Sequence, residues 1–310
     1  QNILKNKSSQ IDLSIYIKSF ILLMKPRVMS LVLFTTVVGL LVAPNEIPFT
    51  KACLSLLAVA IGSGAAGALN MWYESDVDAV MSRTCLRPIP TGKIKRQNAL
   101  WFGIILAIAS TIMLYLFSNL ISAILLVTTI SFYFFIYTIW LKRKTAQNIV
   151  IGGASGALPP VIGWTIATGS ISLEPIIMFL IIFFWTPSHF WALSLYKSDD
   201  YKKAKIPMLP LTAGIQSTKF NILLYAFLML PVVVAPVLTG FGSFIYLILS
   251  LSMTLYYIYL CYLLFKEKIV SKSNLIARKV FVYSIFYLFF LFLLILFDNL
   301  FKFNKILTFF

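Results

Sequence analysis

The chain has 310 residues, of which 60% are hydrophobic and only 12% are charged, and its mean hydropathy is +0.92. Soluble globular domains carry about half apolar and about a quarter charged residues, so this composition excludes a soluble protein and indicates a chain solvated by lipid. The net charge of +16 would suggest nucleic-acid binding in a soluble protein. In a membrane protein, however, basic residues collect in cytoplasmic loops. We therefore expect the lipid bilayer, and no nucleic acid, as a partner.

Apolar runs separated by short polar breaks predict an all-α, polytopic membrane protein with nine transmembrane helices. The predicted spans are 28–44, 52–70, 98–117, 119–140, 149–168, 175–194, 221–239, 243–264 and 280–298. We expect a cytoplasmic N-terminal tail (1–27), a single transmembrane domain (28–298) and a short periplasmic C-terminal tail (299–310), with no separate soluble domain.

The positions of the basic residues predict the orientation of the chain. If the N-terminus is cytoplasmic, all but three of the 26 Lys and Arg residues fall on the cytoplasmic side. The exceptions are Lys51, Lys302 and Lys305. This asymmetry is typical of membrane proteins, whose cytoplasmic loops are enriched in Lys and Arg. It indicates a multi-pass protein of the bacterial inner membrane, or of the mitochondrial inner membrane if the source is eukaryotic, with its N-terminus in the cytoplasm.

Five of the ten acidic residues lie in two clusters, which carry the functional prediction. Glu74, Asp76 and Asp78 follow the second predicted span, and Asp199 and Asp200 follow the sixth. Because the clusters are four spans apart, both open on the cytoplasmic side. This spacing suggests a weak parallel repeat of a four-helix unit, with a site between the two halves.

The first cluster has the spacing of a metal-binding helical stripe. Asn70, Glu74 and Asp78 recur every four residues, so they share one face if the second span continues as a helix. Such a stripe at a membrane edge is costly, because like charges repel and are poorly solvated there. Mg²⁺ would remove that cost, since it prefers oxygen ligands, keeps waters and bridges to phosphates. The alternative is a solvated loop whose acids pair with neighbouring Arg residues.

Basic residues flank both acidic clusters. Arg83 and Arg87 follow the first cluster, and Arg can bind a diphosphate in a bidentate manner. Lys197 and Lys203 flank the second cluster and supply point charges for phosphate oxygens.

A third basic element joins the fourth and fifth predicted spans. Its residues Lys142 and Arg143 are ordinary cytoplasmic charges by default. They would equally complete a cationic rim around a diphosphate, and the sequence leaves both interpretations open.

Two further features also have two interpretations. His189 is the only histidine and lies among aromatic residues in the sixth span. Such a side chain is usually packed, but it can also be an axial ligand of haem iron. The segment 152–164 is rich in small residues, which permit close helix packing and a kink, or make room for a bulky flat substrate.

A secondary transporter is the alternative from another functional class. Transporters tend to place charged groups near the bilayer midplane, on broken helices. Here the acids lie at one membrane interface, which favours an enzyme.

Three segments together resemble the haem branch of the UbiA-type intramembrane prenyltransferase superfamily. They read NMWYESDVDAVMSRTCLRPIPTG (70–92), YTIWLKRKTAQNIVIGGASGALPPVIGW (137–164) and PSHFWALSLYKSDDYKKAKIPMLP (187–210). The superfamily as a whole requires only an Asn-x3-acid-x3-Asp stripe and a second Asp pair. The NMWY, RPIP, PSHFW and IPMLP strings are particular to the haem branch, and the resemblance covers roughly residues 20–300.

The resemblance implies a UbiA-type helical bundle around a central cavity and a Mg²⁺-dependent prenyltransferase. The reaction it implies transfers a farnesyl group from farnesyl diphosphate to the vinyl group of haem b, which yields haem O. Haem b would then be a substrate rather than a permanent cofactor, and a haem A synthase would act downstream. The rival acceptors are a quinone precursor, such as 4-hydroxybenzoate, and a chlorophyllide.

The resemblance also assigns roles to individual residues. Catalytic roles would fall on Asn70, Asp76, Asp78, Asp199 and Asp200. The metal would be held by Asn70, Glu74, Asp78 and Asp199. It places Arg83, Lys142, Arg143 and Lys203 against the leaving group and His189 towards haem. We also expect substrate contacts from Arg87, Tyr196 and Lys197. The family usually has Asp where this chain has Glu74, which keeps the carboxylate but adds a methylene group.

Overall fold

The computed structural model describes residues 13–301, and this part of the chain is helical apart from its loops. The α-helices are α1 (Leu13–Leu23), α2 (Pro26–Leu41), α3 (Phe49–Tyr73), α4 (Ser75–Val80), α5 (Arg96–Phe117), α6 (Leu120–Ser131), α7 (Asn148–Ala157), α8 (Pro159–Thr168), α9 (Leu173–Tyr196), α10 (Ser198–Lys203), α11 (Leu209–Thr212), α12 (Ile215–Leu238), α13 (Phe244–Lys266) and α14 (Val270–Leu300). A π-helical segment, Phe132–Leu141, continues α6. The predicted all-α class is confirmed.

The described residues contain eight helical segments that are long and apolar enough to cross a membrane. The bent pair of α1 and α2, which meet at 49°, makes nine if it is counted as one span. The nine-helix prediction is consistent with this architecture. The first predicted span (28–44) corresponds to α2, and the predicted N-terminal tail contains α1; residues 1–12 lie outside the described part.

The bend between α1 and α2 follows from the sequence at Lys25 and Pro26. A residue before proline is disfavoured in the α region, and Lys25 adopts a left-handed conformation with φ 54° and ψ 63°. Pro26 then begins α2, where its missing N–H costs nothing. The corner is seated on α3 at Gly67, where an added Cβ would lie 3.2 Å from the carbonyl oxygens of Leu23 and Met24. The corner therefore depends on the missing side chain of Gly67.

The last span is longer than predicted. Residues 280–298 were expected to span the membrane, but α14 runs from Val270 to Leu300 and has 31 residues. Its first turns carry Lys272 and Arg278, whose charge hides the helix from a hydropathy pattern. The predicted tail 299–310 begins within the end of α14 and lies outside the described residues beyond Phe301.

The helices pack around two main hydrophobic cores. One core joins α3, α5, α6 and α8, and the other joins α9, α12, α13 and α14. Helices α2 and α8 contribute to both and pack extensively on each other. This arrangement resembles the two halves expected from the spacing of the acidic clusters.

Small residues allow the backbones of α2 and α8 to touch. A Cβ added to Gly163 would lie 2.0 Å from the carbonyl oxygen of Thr36, and one added to Gly39 would lie 2.1 Å from that of Pro160. A Cβ at Gly156, by contrast, meets no atom within 4 Å. The small-residue segment thus provides close packing at Gly163 and free space at Gly156.

We expect Gly163→Ala to destabilise the protein by about 3 kcal/mol, because the new methyl group would collide with backbone rather than with a flexible side chain. Gly156→Ala is the matched control and should keep or slightly raise stability, since Ala favours a helix over Gly. Thermal unfolding of both purified variants in detergent measures the difference. Equal midpoints for the two variants would contradict the close approach of α2 and α8.

Candidate active site

The stripe of Asn70, Glu74 and Asp78 lies at the junction of α3 and α4. Glu74, with φ −91° and ψ 14°, separates the two helices but keeps the helical hydrogen bonds. Its N–H donates to the carbonyl of Asn70 at 2.9 Å, and the N–H of Asp78 donates to the carbonyl of Glu74 at 2.8 Å. All three residues are buried, with 1–2% of their surface exposed. The four-residue spacing of the sequence is therefore present in the structure as a buried polar stripe.

The two carboxylates of the stripe each contact a cation. The ammonium of Lys142 lies 2.5 and 2.6 Å from the two carboxylate oxygens of Glu74. One guanidinium nitrogen of Arg87 lies 2.8 Å from both carboxylate oxygens of Asp78. Burial alone would lower the pKa of Lys142, but the charge of Glu74 outweighs it and raises that pKa, so Lys142 stays a cation. Both carboxylates are 3% exposed, so these are ion pairs shielded from water.

Asn70 is held in one orientation by two partners that the sequence analysis missed. Its amide nitrogen donates to Thr138 Oγ1 at 3.0 Å, and its amide oxygen accepts from Lys25 Nζ at 2.5 Å. Thr138 Oγ1 in turn donates to the carbonyl of Tyr133, five residues earlier in the π-helical segment. The amide oxygen of Asn70 is thus presented to a cation. The only sequence signal for Lys25 is the Lys-Pro pair that ends α1.

Two tyrosines of the π-helical segment turn their ring faces towards Lys25 and Lys142. The rings of Tyr133 and Tyr137 lie 5.4 Å apart, and the ammonium of Lys142 is 5.7 Å from the Tyr137 ring centre. The close approach of Tyr137 requires Gly152, where a Cβ would lie 2.2 Å from the ring. The aromatic faces form a wall suited to a positive charge in a dry environment.

Asp76 lies apart from the buried stripe. Its side chain is 63% exposed, and its carboxylate makes a two-pronged ion pair with Arg143 at 2.8 and 3.0 Å. Burial alone would raise the pKa of Asp76, but the hydrogen bond and charge of Arg143 outweigh it and lower that pKa. Both residues line a cavity of ≈ 260 Å³ together with Lys203, so Asp76 belongs to the rim of the site.

Of the second acidic cluster, Asp200 contacts the segment that follows the first cluster. Asp200 is 8% exposed and accepts hydrogen bonds from Ser82 Oγ at 2.7 Å and Ser82 N at 3.4 Å. The bond from Ser82, and next the charges of Lys197 and Lys203, lower the pKa of Asp200. Asp199 is exposed, and its carboxylate makes no hydrogen bond or ion pair with any described residue. Neighbours in a helix point about 100° apart, so α10 buries Asp200 and leaves Asp199 exposed. The metal-binding role of Asp199 stays a prediction.

The remaining predicted contact residues lie near the site without joining the ion pairs. Arg83 is exposed and, within residues 13–301, makes no ion pair. Tyr196, at the end of α9, packs edge-on against Phe281 with ring centres 6.0 Å apart.

His189 lies deeper in the bundle, between two aromatic rings. Its ring stacks on Trp185 at 4.2 Å and on Phe281 at 4.5 Å, and its Nδ1 lies 2.6 Å from Ser284 Oγ. The Ser284 hydroxyl also lies 2.7 Å from the carbonyl oxygen of Phe281, and when it donates there it accepts from Nδ1–H. In that tautomer Nε2 is the unprotonated nitrogen, and it makes no hydrogen bond with any described residue. Seven residues of α9 separate His189 from Tyr196 at the end of the helix, a depth of roughly 10 Å.

A sequence model described as the UbiA prenyltransferase family matches residues 32–285. The chain belongs to this family. The resemblance stated from the three sequence segments is therefore confirmed.

Curated relatives cover nearly the whole chain. A protein from Pelagibacter ubique, named protoheme IX farnesyltransferase, is 64% identical over 278 residues, which are 90% of this chain and 92% of that protein. A protein of the same name from Orientia tsutsugamushi is 50% identical over 92% of this chain and 90% of its own length.

Solved structures share the UbiA fold at low sequence identity. One described as digeranylgeranylglyceryl phosphate synthase has a TM-score of 0.77 at 21% identity, covering 92% of this chain and 98% of that one. A UbiA homolog from Archaeoglobus fulgidus, bound to GPP and Mg²⁺, has a TM-score of 0.67 at 17% identity, covering 89% and 99%. These likenesses confirm the predicted helical bundle.

The stripe of this UbiA chain has donors that suit Mg²⁺. The described residues contain no group of three or more His, Cys, Asp and Glu that could enclose a metal. Mg²⁺ does not need such a cage, because it is usually held by one or two carboxylates together with waters and substrate phosphates. The carboxylates of Glu74 and Asp78 and the amide oxygen of Asn70 provide hard oxygen donors of this kind. The donor set therefore fits a Mg²⁺ ion shared with a diphosphate.

Proposed function

We propose that this chain transfers a farnesyl group from farnesyl diphosphate to the vinyl group of haem b, and so makes haem O. The observation that supports farnesyl diphosphate as the prenyl donor is the buried stripe of Asn70, Glu74 and Asp78, each in contact with a cation. Asp200 of the other half is brought to the same end of the bundle. The acceptor is supported by the 64% identity to a protein named protoheme IX farnesyltransferase.

The ion pairs of the site provide carboxylates that could hold a metal and cations that could hold a diphosphate. When bound, Mg²⁺ would neutralise the charge that develops on the diphosphate leaving group. Asn70, Glu74 and Asp78 would hold the metal, and Lys142 and Arg87 would move from the carboxylates to phosphate oxygens. Mg²⁺ would then neutralise the carboxylates that the cations leave, and the diphosphate would neutralise those cations. Each ligand therefore favours binding of the other. This exchange avoids leaving a buried charge unpaired.

The chemistry follows from the charge that this arrangement stabilises. The allylic C–O bond breaks with both electrons going to the diphosphate, and a farnesyl cation forms at C1. The faces of Tyr133 and Tyr137 can stabilise this cation away from water. The vinyl π electrons of haem b then attack C1, and water adds to the resulting cation with loss of a proton. The product carries the hydroxyethylfarnesyl group of haem O.

His189 has the geometry of a residue that positions haem. Stacking on Trp185 and Phe281 and the bond to Ser284 fix the ring and its tautomer, leaving Nε2 to approach iron. A porphyrin held there would lie deeper in the bundle than the diphosphate, at the depth expected for the farnesyl chain. Both substrates are amphipathic, so access from the bilayer suits them.

His189→Ala is expected to weaken haem b binding about 100-fold and to shift the haem absorption band, because a nitrogen ligand is lost. Ser284→Ala should cost about tenfold, the usual effect of losing the group that orients a metal-binding histidine. Spectroscopic titration of the purified proteins with haem b measures both effects. Unchanged affinity and an unchanged spectrum in His189→Ala would leave His189 as a packed side chain.

The setting of the reaction is also a proposal. The excess of Lys and Arg in alternate loops supports an inner membrane location with the N-terminus in the cytoplasm. Haem O made there would be available to a haem A synthase, which acts on this product.

The decisive experiment compares acceptors. Purified protein receives labelled farnesyl diphosphate and Mg²⁺ with either haem b or 4-hydroxybenzoate, and mass spectrometry identifies the product. We expect label in haem O alone, and the same product in a null strain that expresses the chain. Label in prenylated 4-hydroxybenzoate without haem O would overturn the acceptor. Solute accumulation in proteoliposomes without any prenylation would overturn the enzyme.

A further inference from the structure

A second polar cavity, of ≈ 270 Å³, lies between α9, α12 and α14 and shares no residue with the prenyl-transfer site. It opens where α12 and α14 begin, at the end of the bundle to which α9 runs. Its polar lining consists of Gln216, Lys219, Glu267, Lys268, Ser273 and Asn274.

The central feature of this cavity is the buried ammonium of Lys219. The residue is 3% exposed, and its Nζ donates to the carbonyl oxygen of Glu267 at 2.7 Å. Among residues 13–301, no carboxylate lies within ion-pairing distance of Lys219. Two of its three N–H donors are left for another partner. The charge of Glu267 acts on Lys219 only from beyond ion-pairing distance, so the buried ammonium is not directly neutralised and favours an anion that joins it.

The other charges around the cavity also favour an anion. The carboxylate of Glu267 is turned to the backbone, where it accepts from the N–H of Ile269 at 2.9 Å. Lys268 is exposed and adds a second cation to the lining, so cations outnumber the acid. Ile215 and Val270, the first residues of α12 and α14, both line the cavity. Helix N-termini carry unpaired N–H groups and a partial positive charge, which attract anions.

We propose that this cavity binds a phosphate group, supplied either by the headgroup of an anionic lipid or by free inorganic phosphate. The cavity lies where two apolar spans begin, which is the depth of lipid headgroups, and its opening is polar. Lys219 supplies the buried charge, Lys268 supplies the outer one, and Gln216, Ser273 and Asn274 supply neutral hydrogen-bonding groups. The site is independent of the proposed farnesyl transfer.

The test uses two ligands and three variants. Full-length protein in phosphatidylcholine nanodiscs, with and without phosphatidylglycerol, is analysed by native mass spectrometry for retained lipid. Thermal unfolding in detergent is followed with inorganic phosphate, against chloride at equal ionic strength. Gln216→Glu adds a negative charge at an exposed position, and Lys219→Met removes the buried positive charge. Lys266→Met is the control, since Lys266 lies over the ring of Tyr262 and does not line the cavity.

We expect Gln216→Glu and Lys219→Met to weaken phosphate-group binding about tenfold or more, and Lys266→Met to leave it unchanged. Retained phosphatidylglycerol that both variants lose would identify the headgroup as the source. Stabilisation by phosphate that both variants lose would identify the free anion. Gln216→Glu changes no buried side chain, so it decides the outcome if Lys219→Met fails to fold. Wild-type protein that binds neither ligand, or a Gln216→Glu variant that binds as wild type does, would overturn the site.

Discussion

Asp78→Asn is expected to lower farnesyl transfer about a thousandfold while leaving membrane insertion and folding intact. Asn has nearly the shape of Asp, so a residue that is 2% exposed keeps its packing. The amide, however, has no negative charge for a metal, and one of its two oxygen positions becomes an N–H donor facing Arg87. Losing one preorganised group that stabilises the transition-state charge typically lowers the rate by about 10²–10³. Initial rates with labelled farnesyl diphosphate and haem b measure the loss.

The matched comparisons for Asp78→Asn are two other acids. Asp76→Asn should lower the rate only about tenfold, because Asp76 lies on the exposed rim and its ion pair is with Arg143, which is itself partly exposed. Glu46→Gln, in the exposed loop between α2 and α3, should have no effect. Equal losses for Asp76 and Asp78 would show that the buried stripe has no special role. A wild-type rate for Asp78→Asn would remove the metal assignment.

The stripe itself was predictable, but its cations were not. A four-residue spacing of Asn70, Glu74 and Asp78 is a local property, so it survives the break between α3 and α4. Lys25 is 45 residues from Asn70 in the sequence. It reaches Asn70 because its own left-handed backbone conformation turns the chain just before Pro26. A hydropathy pattern assigns that residue to a tail.

The basic element after the fourth span shows the same limit. The sequence left open whether Lys142 and Arg143 contact the site or merely mark topology. A π-helix holds more residues per turn than an α-helix, so it changes the direction of every side chain that follows. In the structure Lys142 reaches Glu74, and Arg143 reaches Asp76. The segment Phe132–Leu141 carries no sequence signal for this geometry.

The fold was easier to predict than the site. Spans of about 20 apolar residues are read directly from composition, because the bilayer sets their length. The predicted span boundaries were wrong where charged residues interrupt an apolar helix, at α1 and at the start of α14. The choice between Asp199 and Asp200 had no basis in sequence, since it depends on how a single short helix is rotated.

Lys142→Met is expected to raise the KM for farnesyl diphosphate and lower kcat/KM about 100-fold or more, because it removes a cation shielded from water. The same change leaves the Glu74 carboxylate buried and unpaired, which should cost about 3–5 kcal/mol of stability. Lys144→Met is the control: Lys144 is two residues away and exposed, and it should leave rate and stability unchanged. Steady-state kinetics and thermal unfolding of both variants measure these effects.

A double variant separates the two roles of Lys142. Lys142→Met with Glu74→Gln leaves no unpaired charge at this ion pair, so most of the lost stability should return. The activity should not return, because the diphosphate still lacks its cation and the metal lacks a carboxylate. If Lys142→Met alone kept the wild-type KM for farnesyl diphosphate, Lys142 would serve only to neutralise Glu74. Lys142 therefore moves from the Glu74 carboxylate to the diphosphate if the double variant regains stability but still has a raised KM for farnesyl diphosphate.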